Sequence, residues 1–427
     1  MERKNDKIKE NNSHFGNEEL DTESKSLYKV ACNRLKRDKL ALFGGFIIGV
    51  AFLIAILGSL IRPDPTKHSN NMIPSLRTLK PGSSVDILKV RINRKTEGKY
   101  FWEKLFFGGE AKKYKYFPIN NFNFKQKDII INKYTTKKGL EGEKIPFNIA
   151  DVLYPIDIDN QYMKKDNKLE FHIIGDKKVT RSLQSMRKEI MEKNIINKTF
   201  WLGTDTHGRD LLSRLMAGTI VSLSVGFIAV IISLIIGVSL GSIAGYFKGL
   251  IDDLIMWLIN VIWSIPTLLL IIAITFALGK GFSQVFIAVG LTMWVQVARI
   301  VRGEVLSVRE KEFVEAGKAL GYSSVRIITK HIIPNVMSPV IVISAANFAS
   351  AILIEAGLSF LGIGAQIPIA SWGSMIKNHY TYITTDYAYL AILPGMCIML
   401  LVLAFMLVGN GLRDALDTKA LDEYGGA

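Results

Sequence analysis

A chain of 427 residues, 49% hydrophobic, with a mean hydropathy of +0.24 and a formal net charge of +15, is either one large soluble protein or a polytopic membrane protein. Its apolar residues are gathered into runs, which excludes the first. The charge is gathered as well: residues 63–200 hold 28 Lys and Arg against 16 Asp and Glu, leaving 25 against 22 elsewhere, and without any nucleic-acid-binding motif that excess excludes a nucleic-acid role.

Residues 1–26 are rich in Lys, Glu, Asn, Asp and Ser, so a disordered tail is expected. Lys29, Arg34, Lys36, Arg37 and Lys39 then precede the first apolar run, and the positive-inside rule places the 1–39 tail in the cytoplasm. The lead and the apolar core are too long for a cleaved signal peptide. Six runs approach the roughly 20 residues needed to span a bilayer: 40–61, 219–245, 254–278, 283–300, 336–358 and 389–412. The fourth is the shortest and carries Gln296. The expected fold is thus an all-α polytopic membrane protein with six transmembrane helices. Alternation puts 301–335 and the 413–427 tail in the cytoplasm with the N-terminus. Arg299, Arg302, Arg309, Lys311, Lys318, Arg326 and Lys330 lie around the 301–335 loop, whereas 279–282 and 359–388 carry only Lys280 and Lys377. Cys32 and Cys397 fall in the tail and the last run, so no disulfide framework is expected.

On this topology residues 62–200 form an extracytoplasmic insert between helices 1 and 2; its basic surplus is no objection, because long loops are translocated largely regardless of charge. Stretches 85–91, 114–124, 128–134 and 169–174 alternate or are rich in β-branched and aromatic residues, predicting a small strand-rich domain, while 182–195 reads as helical. His68 and His172 are isolated, and the insert shows no metal-ligand cluster and no nucleophile beside a base.

Trp201 opens the stretch WLGTDTHGRDLLSRLMAGTIVSLSV. Leu211, Leu212, Leu215 and Met216 make an apolar face, and Asp205, Arg209, Asp210 and Arg214 stand at the mouth of the second span, where an ion-pair cluster would fix the helix entry angle. Gly203 and Gly208 predict a turn, and His207 has no nucleophile beside it. Pro266 and Pro394 are expected to kink the third and sixth spans. Glu355 is the carboxylate set within the fifth run; an ionisable group at that depth is expected to face a cavity or a partner, and with Asn347 it marks a candidate translocation path.

Residues 309–335 are polar and basic between two apolar runs. Phe313, Val314, Ala316, Ala319 and Leu320 recur at helical spacing over 311–320, Gly321 stops that helix, and Ser323 or Ser324 caps a second one through Val325, Ile328 and Ile332 that Pro334 ends. Helix, glycine turn and helix would offer one apolar ridge to a partner's groove. The chain lacks the glycine-rich phosphate loop followed by Lys and Ser or Thr that binds ATP; Gly279 and Lys280 are followed by Gly281.

The 309–335 segment resembles the EAA loop of ABC-transporter permeases through Glu315, Ala316, Gly321, Ile333 and Pro334, with Gly317 at the usual second alanine and Ile333 at the usual leucine. Residues 201–215 resemble the signature of the peptide and nickel permease family through Gly203, Thr204, Asp205, Gly208, Arg209, Asp210, Ser213, Arg214 and Leu215. So do 348–364 and 371–373, with Pro368 present and Ala370 where a second proline is often found. The resemblance covers about 201–372 and leaves the insert outside it. It implies the C-type permease subunit of an oligopeptide or dipeptide ABC importer in the bacterial inner membrane, not itself an enzyme and needing no cofactor, with ATP bound by partners. The implied partners are a second, related permease, two ABC ATPase subunits and an extracytoplasmic solute-binding protein. It also implies ATPase coupling through Glu312, Phe313, Glu315, Ala316, Gly317, Ala319, Leu320, Gly321, His331, Pro334 and Asn335, and an outer-mouth motif of Gly203, Asp205, Gly208, Arg209, Asp210 and Arg214. Nickel is the alternative cargo, but it needs softer or imidazole ligands and the spans hold no His. An ion-coupled secondary transporter, the rival class, predicts intramembrane charge pairs and inverted repeats; the chain has one such carboxylate and no repeat.

Overall fold

The computed structural model describes residues 32–94, 112–135, 142–156, 163–165, 167–175, 177–279 and 281–416. The expected disordered tail at 1–26, Lys280 and residues 417–427 of the second tail lie outside them. The first long helix, α1 (Lys39–Ile61), starts where the Asp38 carboxylate accepts the N–H groups of Leu40 and Ala41 at 2.9 and 3.2 Å, satisfying donors that no earlier turn can reach.

The described residues of the insert form eight strands: β1 (Ser83–Arg91), β2 (Tyr114–Lys125), β3 (Asp128–Lys133), β4 (Lys144–Asn148), β5 (Met163–Lys165), β6 (Lys168–Ile173), β7 (Lys177–Ser182) and β8 (Ile195–Phe200). Helices α2 (Ile149–Leu153) and α3 (Leu183–Glu189) interrupt them. All pairings are antiparallel, in a five-stranded sheet of order β4-β3-β2-β1-β8 and a three-stranded sheet of order β5-β6-β7. Leu88, Val90, Ile129, Ile131, Ile149, Leu169, Phe171 and Met186 bury a core between sheets and helices, and Val85 and Ile87 bury the opposite side of β1 against Leu76 and Phe200. The helix expected over 182–195 stops at Glu189; a π-helical turn, Ile190–Asn194, leads into β8. Because β8 lies beside β1, with Ser83 opposite Phe200, the insert leaves where it entered.

Among the described residues nine α-helices follow: α4 (Leu211–Phe247), the pair α5 (Gly249–Trp263) and α6 (Thr267–Ala277), α7 (Phe282–Val308), then α8 (Glu312–Ala319), α9 (Ser324–Ile327), α10 (Met337–Leu361), α11 (Trp372–His379) and α12 (Tyr389–Leu416). Among the described residues five helices, α1, α4, α7, α10 and α12, are long and apolar enough to cross a membrane, and α5 with α6 makes a sixth crossing only if the two, set at 94°, count as one. The third run is therefore a broken helix where a kink was expected. Pro266 has no N–H to give and biases Ile265 away from helical backbone, and Ser264 closes the end of α5 by bonding the Val261 carbonyl at 2.7 Å.

Small residues let α4 and α7 approach closely. Gly237, Gly241 and Gly245 repeat every fourth residue along α4, and a Cβ at these positions would meet Val297, the Ala298 carbonyl oxygen and Val305 of α7 at 2.6, 2.5 and 2.8 Å. That is the small-residue seam expected where two apolar helices gain by van der Waals contact instead of by leaving water. On the other side, Gly44 of α1 faces the Ala404 carbonyl of α12, and Gly411 of α12 faces Ala41. The loop expected over 301–335 begins later than the charge pattern suggests: α7 runs on to Val308, with Arg302 held to Asp252 of α5 through Nε to Oδ1 at 2.5 Å and Nη2 to Oδ2 at 2.6 Å.

Candidate functional site

Two groups of residues singled out in the sequence are each brought together. The first lies where the insert meets α4. Asp210 caps α4, accepting the Ser213 N–H at 2.7 Å, and Ser213 Oγ accepts the Asp64 N–H at 2.8 Å. Asp205 Oδ1 accepts the main-chain N–H groups of His207 and Arg209 at 2.8 and 2.9 Å, and Oδ2 takes Arg209 Nε at 2.6 Å. Arg214 Nε stands 3.9 Å from the same oxygen. Asp205, Arg209, Asp210 and Arg214 are all buried, none more than 3% exposed. A carboxylate between two buried guanidiniums is how such charges become tolerable away from water. Gly203 and Gly208 both have positive φ, 75° and 71°, and a Cβ there would strike the carbonyl oxygens of Leu79 and Ile73. Thr204 Oγ1 bonds the Leu76 carbonyl and accepts the Leu79 N–H at 2.9 Å.

These contacts clamp the segment after α1 onto the mouth of α4. Asn70 reaches Arg209 Nη1 at 3.1 Å, and Tyr389 of α12 donates to the Leu79 carbonyl at 2.9 Å. His379 Nδ1 lies 2.7 Å from the Met375 carbonyl, which can only accept, so Nδ1 carries the proton. Thr206 Oγ1 sits between His379 Nε2 and His207 Nδ1 at 3.4 and 3.2 Å. Burial holds both imidazoles below the usual histidine range, Arg209 adding to the effect at His207. Sequence reasoning missed Asp64, Asn70 and His379, which reach the cluster from 139 or more residues away by contact alone. Ser213 was in the matched signature, but its partner was not.

The second group is the loop after α7. Helix α8 closes with two bonds, Tyr322 N–H to the Gly317 carbonyl at 3.0 Å and Gly321 N–H to Lys318 at 2.9 Å, the Schellman arrangement that needs a left-handed residue. Gly321 supplies it with φ 73°. Gly317 packs beneath the Tyr322 ring, which stacks on His331 and carries the Arg326 guanidinium 4.0 Å above it. Ser323, not Ser324, caps α9. Pro334 does not end the second helix as expected. A π-helical turn, Ile328–Ile332, and a 3-10 turn, Ile333–Val336, carry the chain directly into α10. The wider and tighter turns absorb the donor that proline lacks, and Asn335 Nδ2 bonds the His331 carbonyl at 2.6 Å.

Each side of this loop has a distinct environment. Val314, Ile327, Ile332 and Val336 are buried against Val297, Val301, Val305 and Val308 of α7. Glu312, Phe313, Glu315, Ala316, Ala319, Leu320 and Gly321 face outward, and Leu320 and Val325 are each 71% exposed. Arg309 Nη1 bonds the Tyr246 carbonyl at 2.6 Å and Lys248 pairs with Glu310 at 2.9 Å, tying the loop to the end of α4.

The remaining marked residues, Asn347 and Glu355 of α10, are each 1% exposed. Glu355 Oε1 accepts from Ser359 Oγ at 2.6 Å, and Ser359 Oγ accepts the Ala365 N–H at 3.1 Å.

A family model for the binding-protein-dependent transport system inner membrane component matches residues 237–421, which hold the exposed loop and four of the bundle helices. A second, for the N-terminal transmembrane domain of oligopeptide transport permease C, matches residues 26–81. The chain is 44% identical over 219 residues to the dipeptide transport system permease protein of Alkalihalophilus pseudofirmus, covering 51% of this chain and 72% of that one. The chain belongs to this permease family. The oligopeptide permease protein of Bacillus subtilis is 39% identical over 223 residues, covering 52% of this chain and 73% of the relative. Among solved structures, the methionine transporter MetNI in an inward-facing conformation is similar with a TM-score of 0.41 at 17% identity, covering 48% of this chain and 98% of that chain. As a permease subunit the chain is the membrane component of a transport system, and the insert strands at 83–200 fall between its two matched stretches.

Proposed function

We propose that this permease is the C-type subunit of an ATP-driven importer of oligopeptides or dipeptides, and that the 309–335 loop couples it to ATPase subunits. The relatives named for peptide transport support the cargo. The observation that carries the coupling is the exposed ridge of Phe313, Leu320 and Val325 on a loop whose other face is fixed to α7. An amphipathic helix of this kind lays its outer side chains in a groove of a partner. Displacement of α8 would pass through Val314 and Tyr322 to Val301 and Val305, and from there across the glycine seam to α4. The chain then needs no nucleotide site of its own.

In this reading α5 and α6 together make the third of six crossings, both termini and the 309–335 loop are cytoplasmic, and the insert lies outside, where a solute-binding protein delivers substrate. A second, related permease supplies the other half of the path. Glu312, Glu315, Ala316, Gly317, Ala319, Gly321, His331, Pro334 and Asn335 shape or present the coupling loop, and the junction at Asp205 and Arg209 holds the outer mouth. Co-purification tests it: a pair of ATPase subunits accompanies the wild-type complex and is lost or uncoupled in the double variant Glu315→Arg, Gly321→Pro. Transport that persists in that variant with no ATPase bound under mild extraction would sink the reading.

A further inference from the structure

Midway along α7, Gln296 points its amide outward from a helix otherwise apolar enough to cross a membrane. It borders a cavity of about 380 Å³ between the α5–α6 break, α7 and α10, whose walls include Trp263, Thr267, Thr292, Met293 and Ser350. That volume falls in the range of small-ligand sites. Among the described residues, the Gln296 amide and the Thr267 and Ser350 hydroxyls have no hydrogen-bond partner; Thr292 spends its proton on the Val289 carbonyl. Helix α6 also begins in this wall with no capping side chain, so its first N–H groups are left without an intrahelical acceptor. Lipid can satisfy none of these groups, and broken backbone at membrane depth is tolerated where it is buried in protein or lines water.

We propose that this cavity is the surface on which the permease receives the main chain of a translocating peptide, with Gln296 as its central polar contact; the proposal rests on the peptide reading above. A carboxamide offers both a donor and an acceptor and so matches the alternating C=O and N–H of a peptide of any sequence. The walls carry no carboxylate, imidazole or thiol, so they suit an uncharged backbone and offer none of the usual ligands to a metal ion. Trp263, held under the Arg299 guanidinium at 3.6 Å, and Met293 provide apolar surface for side chains of varied shape. Glu355 and Asn347 lie apart from this lining, each 1% exposed inside the chain.

The test uses the complete complex, reconstituted with its second permease, ATPase subunits and binding protein, and trialanine as probe. Gln296→Leu is expected to lower trialanine uptake below saturation about three- to tenfold, the loss of one peptide hydrogen bond, with ATPase subunits still bound. In a form with Cys32 and Cys397 replaced by Ser, Gln296→Cys is expected to react with a charged, membrane-impermeant thiol reagent. Reaction only with a lipid-soluble maleimide, or with neither reagent, together with unchanged trialanine uptake in Gln296→Leu, overturns the cavity assignment alone. A wild-type complex that takes up no peptide overturns the peptide reading and this proposal with it.

Discussion

Removing one carboxylate, that of Asp205, should weaken the insert junction severely. In Asp205→Ala, Arg209 loses its 2.6 Å partner and Arg214 loses a carboxylate oxygen 3.9 Å from its Nε. Both guanidiniums are at most 2% exposed, and Arg214 Nε and Nη1 already lack hydrogen-bond partners. Stripping a buried ion pair of one member costs about 3–5 kcal/mol. The N–H groups of His207 and Arg209 also lose their acceptor, at about 1–3 kcal/mol if they stay dry, so even with partial relaxation a loss of about 4 kcal/mol is expected. Asp205→Asn keeps an oxygen for the two N–H groups but not the charge, and should cost less. The assay is unfolding of the purified subunit in mixed micelles titrated with dodecyl sulfate. If Asp205→Ala lies within about 0.5 kcal/mol of wild type, or if the Asn variant is the weaker of the two, the electrostatic account of this junction is wrong.

The same junction should respond to pH. His207 and His379 titrate below the usual range in the folded chain, so below about pH 6.5 the unfolded chain binds more protons; stability is complete above that value and falls on acidification, and His379→Gln should flatten a melting-temperature profile taken between pH 8 and 5. In the bundle, Gly241→Leu places its side chain against the Ala298 carbonyl and Val301, so overpacking of about 1–3 kcal/mol should appear as lower yield of monodisperse protein by size-exclusion chromatography, whereas Gly45→Leu, with open space around it, should not. At the exposed loop, Val314→Ala removes a fully buried side chain and should destabilise by about 2 kcal/mol. Leu320→Ala, 71% exposed, should leave melting within about 0.5 kcal/mol yet weaken retention of ATPase subunits in pull-downs; the reverse pattern would mean that the loop faces the other way.

The legible parts of this fold are those set by local pattern. Apolar runs are dictated by the membrane's demand for internally satisfied backbone, so five of the six predicted runs appear as single helices and only their ends differ: α4 starts at Leu211 because Asp210 caps it, and α7 reaches Val308 because Asp252 receives Arg302. Strands β1, β2, β3 and β6 alternate and were visible. Strands β4 and β7, KIPFN and KKVTRS, carry a proline or a basic run that hides them, and they form because β3 and β6 present open edges to pair with. Gly321 was readable as a helix stop because only its backbone conformation was at issue. Pro334 misled, since whether a proline ends a helix or passes through wider and tighter turns depends on what packs beside it, here Val336 against α7. The junction motif could be recognised at 203–215 but not its partners, as Asp64 and His379 meet it only through tertiary contact. Gln296 was visible as a blemish in the shortest run. Its weight comes from direction alone: the same amide turned inward would be a packing contact, and turned outward beside a broken helix it needs something polar to face.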